Sequence, residues 1–449
     1  MELDRLQACL NFALNTFRKE MDESQLPPLS QHSSVEHPLD DINYLPSTRL
    51  FEARRLSLAC LGELKNLIQS PLDKCTEERF SVYGIACNDV LIQTGLIDYL
   101  ADVPNPSQGV PVVELAAKLE LDPQKLVPIL RCSAANGWVR ETRDSSFALN
   151  RCARTFIEGH AGRRLNVSLP GFMNMIETIP HWVAESEWKL SRSPLQTAFQ
   201  IAYKTPLLAF SWLMEHPELL IPIADHFQAW GDMSRPSIIA DYPWAQLETP
   251  VIVDCGGGEG SLVSAILDAH PSFRAVVQDM EHVVALTGSI MEECQPQKIE
   301  SGVLKVEAHD IFQPQPRIGN EYSFMLRHII HDWPDKEAVT ILSHLAHALG
   351  PKSKILIVDM IAVPAVDATA PTAFNSLSPD YTIPSHSSFA SKIVSGSSMH
   401  MLTMINSWER SMREWEKLVR GCGLRITNVY PLRAHTSLIE CALDTRALL

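Results

Sequence analysis

The stretch Val251-Ile-Val-Asp-Cys-Gly-Gly-Gly-Glu-Gly260 decides the fold. Its first residues are a short apolar run with β-branched side chains, the signature of a buried strand. Gly256, Gly258 and Gly260 then let the backbone turn tightly and approach a ligand closely. The amphipathic segment SLVSAILDAH follows, so the turn opens onto a helix N-terminus whose free N–H groups favour negative charge. Strand, glycine turn and helix form one wall of a ligand crevice at the carboxyl end of a sheet. Taken alone, the glycines fit dinucleotides and many other ligands.

Downstream the rhythm repeats as RAVVQDM, VLKVEAHD, YSFMLRHIIHD, AVTILSHLAHAL and SKILIVDM. Apolar strand runs alternating with helix-length segments specify a doubly wound α/β domain, a Rossmann-like parallel sheet with helices on both faces. Two further strand ends carry useful chemistry. Asp279 closes RAVVQDM, where a carboxylate can take two ribose hydroxyls. Asp310, beside apolar Ile311 and Phe312, stands where it can meet an adenine amino group. Solvated turn carboxylates are the plain alternative, but three suitable strand ends in succession outweigh it.

Upstream the text is helical. Residues 24–48 are rich in Pro, Ser and His and read as a linker after a first helix. Val113, Leu115, Ala116 and Leu119 share one helical face, and Asp122-Pro123 supplies the N-cap and first residue of the next helix. Gly137 ends that helix. Trp138-Val139 and Phe147-Ala148-Leu149 read as a two-stranded wing, so the unit is read as a winged helix. Residues 171–245 continue as mixed helices rich in Trp, Phe and Pro, a composition suited to covering a pocket. Residues 362–398 are Pro- and Ser-rich and too long for an ordinary connection, so a lid or disordered insertion is expected. The domain boundaries drawn are 1–165 for a helical winged-helix dimerisation domain and 166–449 for the catalytic domain.

A chain of 449 residues with 45% hydrophobic and 20% charged residues has the composition of a two-domain globular protein. A formal net charge of -15 repels phosphate backbones and anionic lipid, so neither nucleic acid nor membrane is an expected partner, winged helix notwithstanding. Charges interrupt every apolar stretch of the N-terminus before a secretory core forms. The ten cysteines lie without a CxxC pair or His–Cys cluster, so no metal and no disulfide framework is expected, and a cytoplasmic location is.

DCGGGEG, VVQDM, HDIF, LRHIIHDWPD, ILIVDM and SWERS, in that order, resemble the small-molecule O-methyltransferases of the plant caffeate type and their fungal relatives. The resemblance covers the chain from the winged helix to its end. It implies that Asp254, Gly256, Gly258, Asp279, Asp310, Ile311 and Arg327 hold S-adenosylmethionine, with Arg327 where plant members have lysine, and that the chain is a homodimer. It also implies that His331 is the general base for a phenol, with Asp359 and Glu409 orienting its imidazole. Asp359 replaces the usual glutamate and is one methylene shorter, and Ser407-Trp408 stands where Gly-Lys is common.

A narrower resemblance points elsewhere. Some fungal members of this fold keep the cofactor yet look like pericyclases, dehydrating a pyridone alcohol to a quinone methide and then closing a ring. Their working residues fall on His160, Lys336 and Met412. A lysine ammonium on the ring carbonyl would stabilise charge that grows in the cyclisation, a histidine would move the dehydration proton, and methionine would shape an apolar wall. A loop histidine, a solvated lysine and a core methionine are the plain alternatives. The pericyclase expectation is placed first and O-methyl transfer to a phenol or enol second.

Overall fold

The computed structural model describes residues 2–33, 35–166, 171–363 and 389–444. Contacts group the chain into two units, Met1–Leu169 with Glu218–Met233, and Pro170–Pro217 with Ser234–Leu449.

In the first unit the helix Glu2–Glu23 packs on the helix Thr48–Ile68. Cys9 and Ala13 on one and Leu50, Ala53, Leu56 and Cys60 on the other are buried. Ser47 caps the second helix by accepting the Leu50 N–H, while its hydroxyl and Arg49 both donate to Glu20. Further on come strand β1 (Val110–Pro111), the helices Val112–Lys118 and Pro123–Ala135, then β2 (Val139–Arg143) and β3 (Ser146–Leu149). The sheet order β1-β3-β2 completes a winged helix. Asp122 caps its second helix by accepting the Gln124 N–H at 2.8 Å, which is the local chemistry the Asp-Pro pair announced. The helix Pro217–Asp232 groups mostly with this unit, not with the second domain in which a linear reading placed it. Non-local bonds draw it there: Arg164 donates to Gln228 at 3.0 Å.

The second unit is built on a seven-stranded sheet. Its strands are β4 (Val251–Cys255), β5 (Arg274–Asp279), β6 (Leu304–Ala308), β7 (Tyr322–Arg327), β8 (Ile355–Asp359), β9 (Leu424–Pro431) and β10 (Ser437–Leu443), in the order β6-β5-β4-β7-β8-β10-β9. The first five run parallel, and β10 lies antiparallel to both β8 and β9. Alternation along each strand feeds two cores. Val253, Phe324 and Ile357 face one side with Leu342 and Trp415, and Ile252, Met325 and Leu356 face the other with Leu262 and Ile266. Burial on both faces is why these strands read as continuous apolar runs. Strand order reverses at β4, whose neighbours are β5 and β7, so a crevice is expected outside the carboxyl ends of these strands.

The helices Phe172–Ala184, Ala198–Tyr203, Ala209–Met214 and Phe389–Ile405 add a separate apolar cluster around Met175, Trp182, Phe199, Ala209 and Ile405. Of the expected lid or insertion at 362–398, residues 364–388 lie outside the described residues. Residues 389–398 are helical, contrary to the irregular reading. Ser and Gly are weak helix formers, but Met401, Leu402 and Ile405 on the same helix pack into that cluster, and tertiary packing overrides propensity.

Candidate active site

The glycine turn follows β4 directly. Gly256, Gly258 and Gly260 all have positive φ, at 73°, 55° and 78°. At Gly256 a side chain is excluded twice over, because a Cβ would also lie 2.5 Å from Ile329 Cδ1. The turn is tied to β5 by Asp279, whose Oδ2 accepts the Gly258 N–H at 2.9 Å and whose Oδ1 accepts the Met280 N–H at 2.7 Å. Each oxygen keeps a lone pair for a further donor, as two ribose hydroxyls require. Asp254, at the buried floor, is pushed up to about 7 by burial, against the attraction of the Arg327 guanidinium and with the help of Asp279. Asp310 follows β6 and accepts the Phe312 N–H at 2.9 Å. Phe312 meets Trp333 edge to face at 4.7 Å, and with half-buried Ile311 they offer an apolar wall. Carboxylate, glycine cradle and aromatic wall therefore fit the expected adenosyl cofactor, with Asp254, Gly256, Gly258, Asp279, Asp310, Ile311 and Arg327 as the residues that would hold it.

Beyond β7 the chain makes a short turn, Ile330–Asp332, before the helix Asp335–Ala348. This turn buries His331, whose Nδ1–H is bonded to Glu409 Oε1 at 2.8 Å. Side-chain exposure is 7% for His331 and 0% for Glu409. Ser397 donates to the same carboxylate at 2.6 Å, and the Glu409 N–H donates to Ser398 Oγ at 3.1 Å. Arg410 fixes the segment: it is buried and donates to the carbonyls of Ile330 (2.9 Å) and Trp333 (2.7 Å) and to Asp335 (3.0 Å). His331 Nε2 lies 3.5 Å from Asp332 Oδ1. Burial opposes a charge on His331, but the Glu409, Asp359 and Asp332 carboxylates outweigh it and push its pKa up to about 10.

Asp359, at the end of β8, is fully buried, and neither of its oxygens has a hydrogen-bond partner among the described residues. Among the described residues, Glu409 is the carboxylate hydrogen-bonded to the imidazole. Burial pushes Asp359 up to about 8, with the Glu409 and Asp332 carboxylates adding to it and His331 and Arg410 opposing.

The structure thus brings together His331, Glu409 and Asp359, and gathers the residues expected to hold the cofactor at the ends of β4, β5, β6 and β7. It places the remaining residues differently. Lys336 is exposed in the first turn of the helix Asp335–Ala348. Met412 is the half-buried first residue of the helix Met412–Gly421, just after its Ser411 cap. His160, in the first unit, precedes the helix Ala161–Leu165, and its Nδ1 lies 3.8 Å from Glu36. Sequence reasoning missed His328, Asp332, Ser397, Ser398 and Arg410. His328 and Asp332 lie in the motif LRHIIHDWPD and Arg410 is the second half of the Glu-Arg pair, while Ser397 and Ser398 carried no signal.

An O-methyltransferase domain model matches residues 195–425, more than half of the chain. The O-methyltransferase tpcA of Aspergillus fumigatus is 26% identical over 435 residues, covering 89% of this chain and 88% of that protein. The demethylsterigmatocystin 6-O-methyltransferase of Aspergillus flavus is 27% identical, covering 80% and 86%. Among solved structures, the LepI complex with SAM superposes with a TM-score of 0.69 at 20% identity, covering 87% of this chain and 94% of that one.

Proposed function

The chain belongs to the O-methyltransferase domain family, and from that premise we propose that it transfers a methyl group from S-adenosylmethionine to an acidic hydroxyl, a phenol or enol, of a fungal secondary metabolite. The observation that carries this reading is the buried His331–Glu409 pair at 2.8 Å. Its cofactor is S-adenosylmethionine, which supplies an electrophilic methyl on a sulfonium centre. The chain supplies the rest. Glu409 holds the Nδ1 proton, so Nε2 is the nitrogen that takes the hydroxyl proton as the oxygen attacks. Arg410 keeps this turn in place through two backbone carbonyls, and a misplacement of ~1 Å would cost a factor of ~100.

The tpcA and demethylsterigmatocystin relatives support this reading by their names, and LepI supports a second. "A Pericyclic Reaction enzyme" also shares the fold, with a TM-score of 0.69 at 20% identity. One observation favours that second reading: Glu409 at 2.8 Å and Asp332 at 3.5 Å from the His331 ring favour its protonated form, which suits an acid assisting the loss of water. In it, Lys336 would donate to a substrate carbonyl, His160 would move the proton and Met412 would line the wall. The exposure of Lys336 weighs against it, so methyl transfer is placed first, reversing the order in which the sequence was read.

The test is incubation with methyl-labelled S-adenosylmethionine and panels of phenols and pyridone alcohols. Methyl transfer predicts label in the product and stoichiometric S-adenosylhomocysteine. Product that has lost water, with the label still on the cofactor, overturns it. In the same assays His331→Ala should lose ~100- to 10,000-fold and Lys336→Ala little; the pericyclase reading requires the reverse order.

A further inference from the structure

Four polar atoms with no hydrogen-bond partner among the described residues sit together at the ends of β7 and β8: Nδ1 and Nε2 of His328 and both carboxyl oxygens of Asp359. Buried polar groups in native proteins are nearly always satisfied, and each orphan costs ~1–3 kcal/mol. A concentration of them marks a place made for a group that is not protein. His328 carries a second mark. Its φ is +54°, a left-handed conformation uncommon outside glycine and asparagine, and such strain collects at functional sites. Its own N–H is fixed on the Val358 carbonyl at 3.1 Å, so the ring is held beside His331, with centroids 5.3 Å apart.

We propose that His328 and Asp359 form a second oxygen-binding subsite, which makes the acceptor a hydroxyl with a carbonyl oxygen ortho or peri to it. The proposal rests on the reading of His331 as the base for that hydroxyl. Donor atoms of His328, His331 and Asp359 all lie within 4.8 Å of one another. The two oxygens of an internally hydrogen-bonded hydroxy-ketone lie ~2.6 Å apart. Groups up to 4.8 Å apart can each reach one such oxygen at normal hydrogen-bond length.

Protonation fits a neutral acceptor. Burial, with His331 and Arg327 nearby, holds His328 well below its ordinary value and so neutral, with one N–H to give. Burial raises Asp359 towards its protonated form. His328 Nδ1 is 3.9 Å from Asp359 Oδ1, about 1 Å beyond a hydrogen bond. Turning the carboxyl O–H onto Nδ1 would leave Nε2–H as the ring donor. A carbonyl, which only accepts, matches that donor. The arrangement also serves the chemistry. An ortho or peri hydroxyl is locked onto its own carbonyl, and a competing donor from His328 frees its proton for His331.

The experiment compares a hydroxyanthraquinone, its hydroxyl peri to the carbonyl, with the anthrol of the same ring system lacking the carbonyl. Binding of each to the S-adenosylhomocysteine complex is measured with chelator present, followed by methyl transfer from labelled cofactor. The wild type should bind the quinone about tenfold or more tightly than the anthrol, the worth of one hydrogen bond to a buried donor. His328→Ala and Asp359→Ala should shrink that ratio, with the change in methyl transfer falling mainly on KM. His328→Asn, which tolerates the left-handed backbone, should recover part of it. Retained S-adenosylhomocysteine affinity shows that the variants fold. An equal affinity for the two ligands in the wild type, or a ratio untouched by His328→Ala, overturns the subsite. So does a quinone preference that vanishes with chelator, which assigns the three donors to a metal ion. A quinone preference that depends on His328 without label transfer keeps the subsite and sinks the methyl-transfer reading instead.

Discussion

A base must be neutral before it can take a proton, and His331 is held far from neutrality. Glu409, Asp359 and Asp332 surround it, with His328 as the other titratable ring beside it, and the balance raises its pKa to about 10. Raised this way, the imidazole is protonated below that pH and becomes a base only as pH climbs towards it. The neutral fraction is then about one in a thousand at pH 7 and about one in a hundred at pH 8, a factor of ten per pH unit. kcat/KM for methyl transfer should therefore rise about tenfold per pH unit from neutral pH upwards. Glu409→Gln keeps an oxygen for the Nδ1 proton and removes one charge. Two unit charges ~4 Å apart at an effective dielectric near 20 interact by ~4 kcal/mol, or roughly three pKa units. The rising limb should move down by about two to three pH units in the variant, while its plateau falls through poorer orientation. Initial rates with labelled cofactor across the neutral and alkaline range, at saturating cofactor, give both profiles. A wild-type profile that is flat or falls with pH would refute the argument, and a fall is what an acid-assisted dehydration gives. A limb that stays in place in Glu409→Gln would remove that carboxylate as the cause.

Other expectations follow from the cofactor crevice and the first unit. Asp279→Ala should weaken S-adenosylmethionine binding by ~1.5–3 kcal/mol, the worth of hydrogen bonds to a charged group; unchanged calorimetric affinity would remove Asp279 from the site. Gly256→Ala should lower cofactor affinity and thermal stability more than Gly258→Ala. Both positions have positive φ, but only at Gly256 would the Cβ strike a neighbour, Ile329; equal losses would show that backbone conformation alone matters. The helices Thr48–Ile68 and Pro71–Gln93 expose Leu61, Ile68, Leu72, Phe80, Tyr83 and Ile85, a concentration of apolar side chains that suits a protein interface. Sedimentation at low micromolar concentration should give a homodimer, and a monomer there would leave that face unexplained.

What could be read from the sequence was what neighbours along the chain determine. The Asp122 cap, the glycine turn and the alternation of strand and helix depend on residues within a few positions of one another, and each stands where local chemistry placed it. Asp279 and Asp310 were legible for a related reason: a residue at the carboxyl end of a parallel strand inherits its position from the sheet. His331 as the proposed base was reachable only through the family motif, because its partner Glu409 lies 78 positions away and nothing local announces the pairing. Lys336 shows the limit from the other side. It is five positions after His331, yet the short turn Ile330–Asp332 and the new helix behind it send one side chain inward and leave the other in solvent. That His328 and Asp359 would be left without partners carried no signal, because an orphaned polar atom is defined by the surroundings it lacks. The shortened carboxylate could be seen in the sequence as a departure from the family pattern. In three dimensions Asp359 is not hydrogen-bonded to His331 and lies 3.9 Å from His328. A carboxylate that one histidine does not bond stands beside another, and only the fold could show that both lie on the same wall.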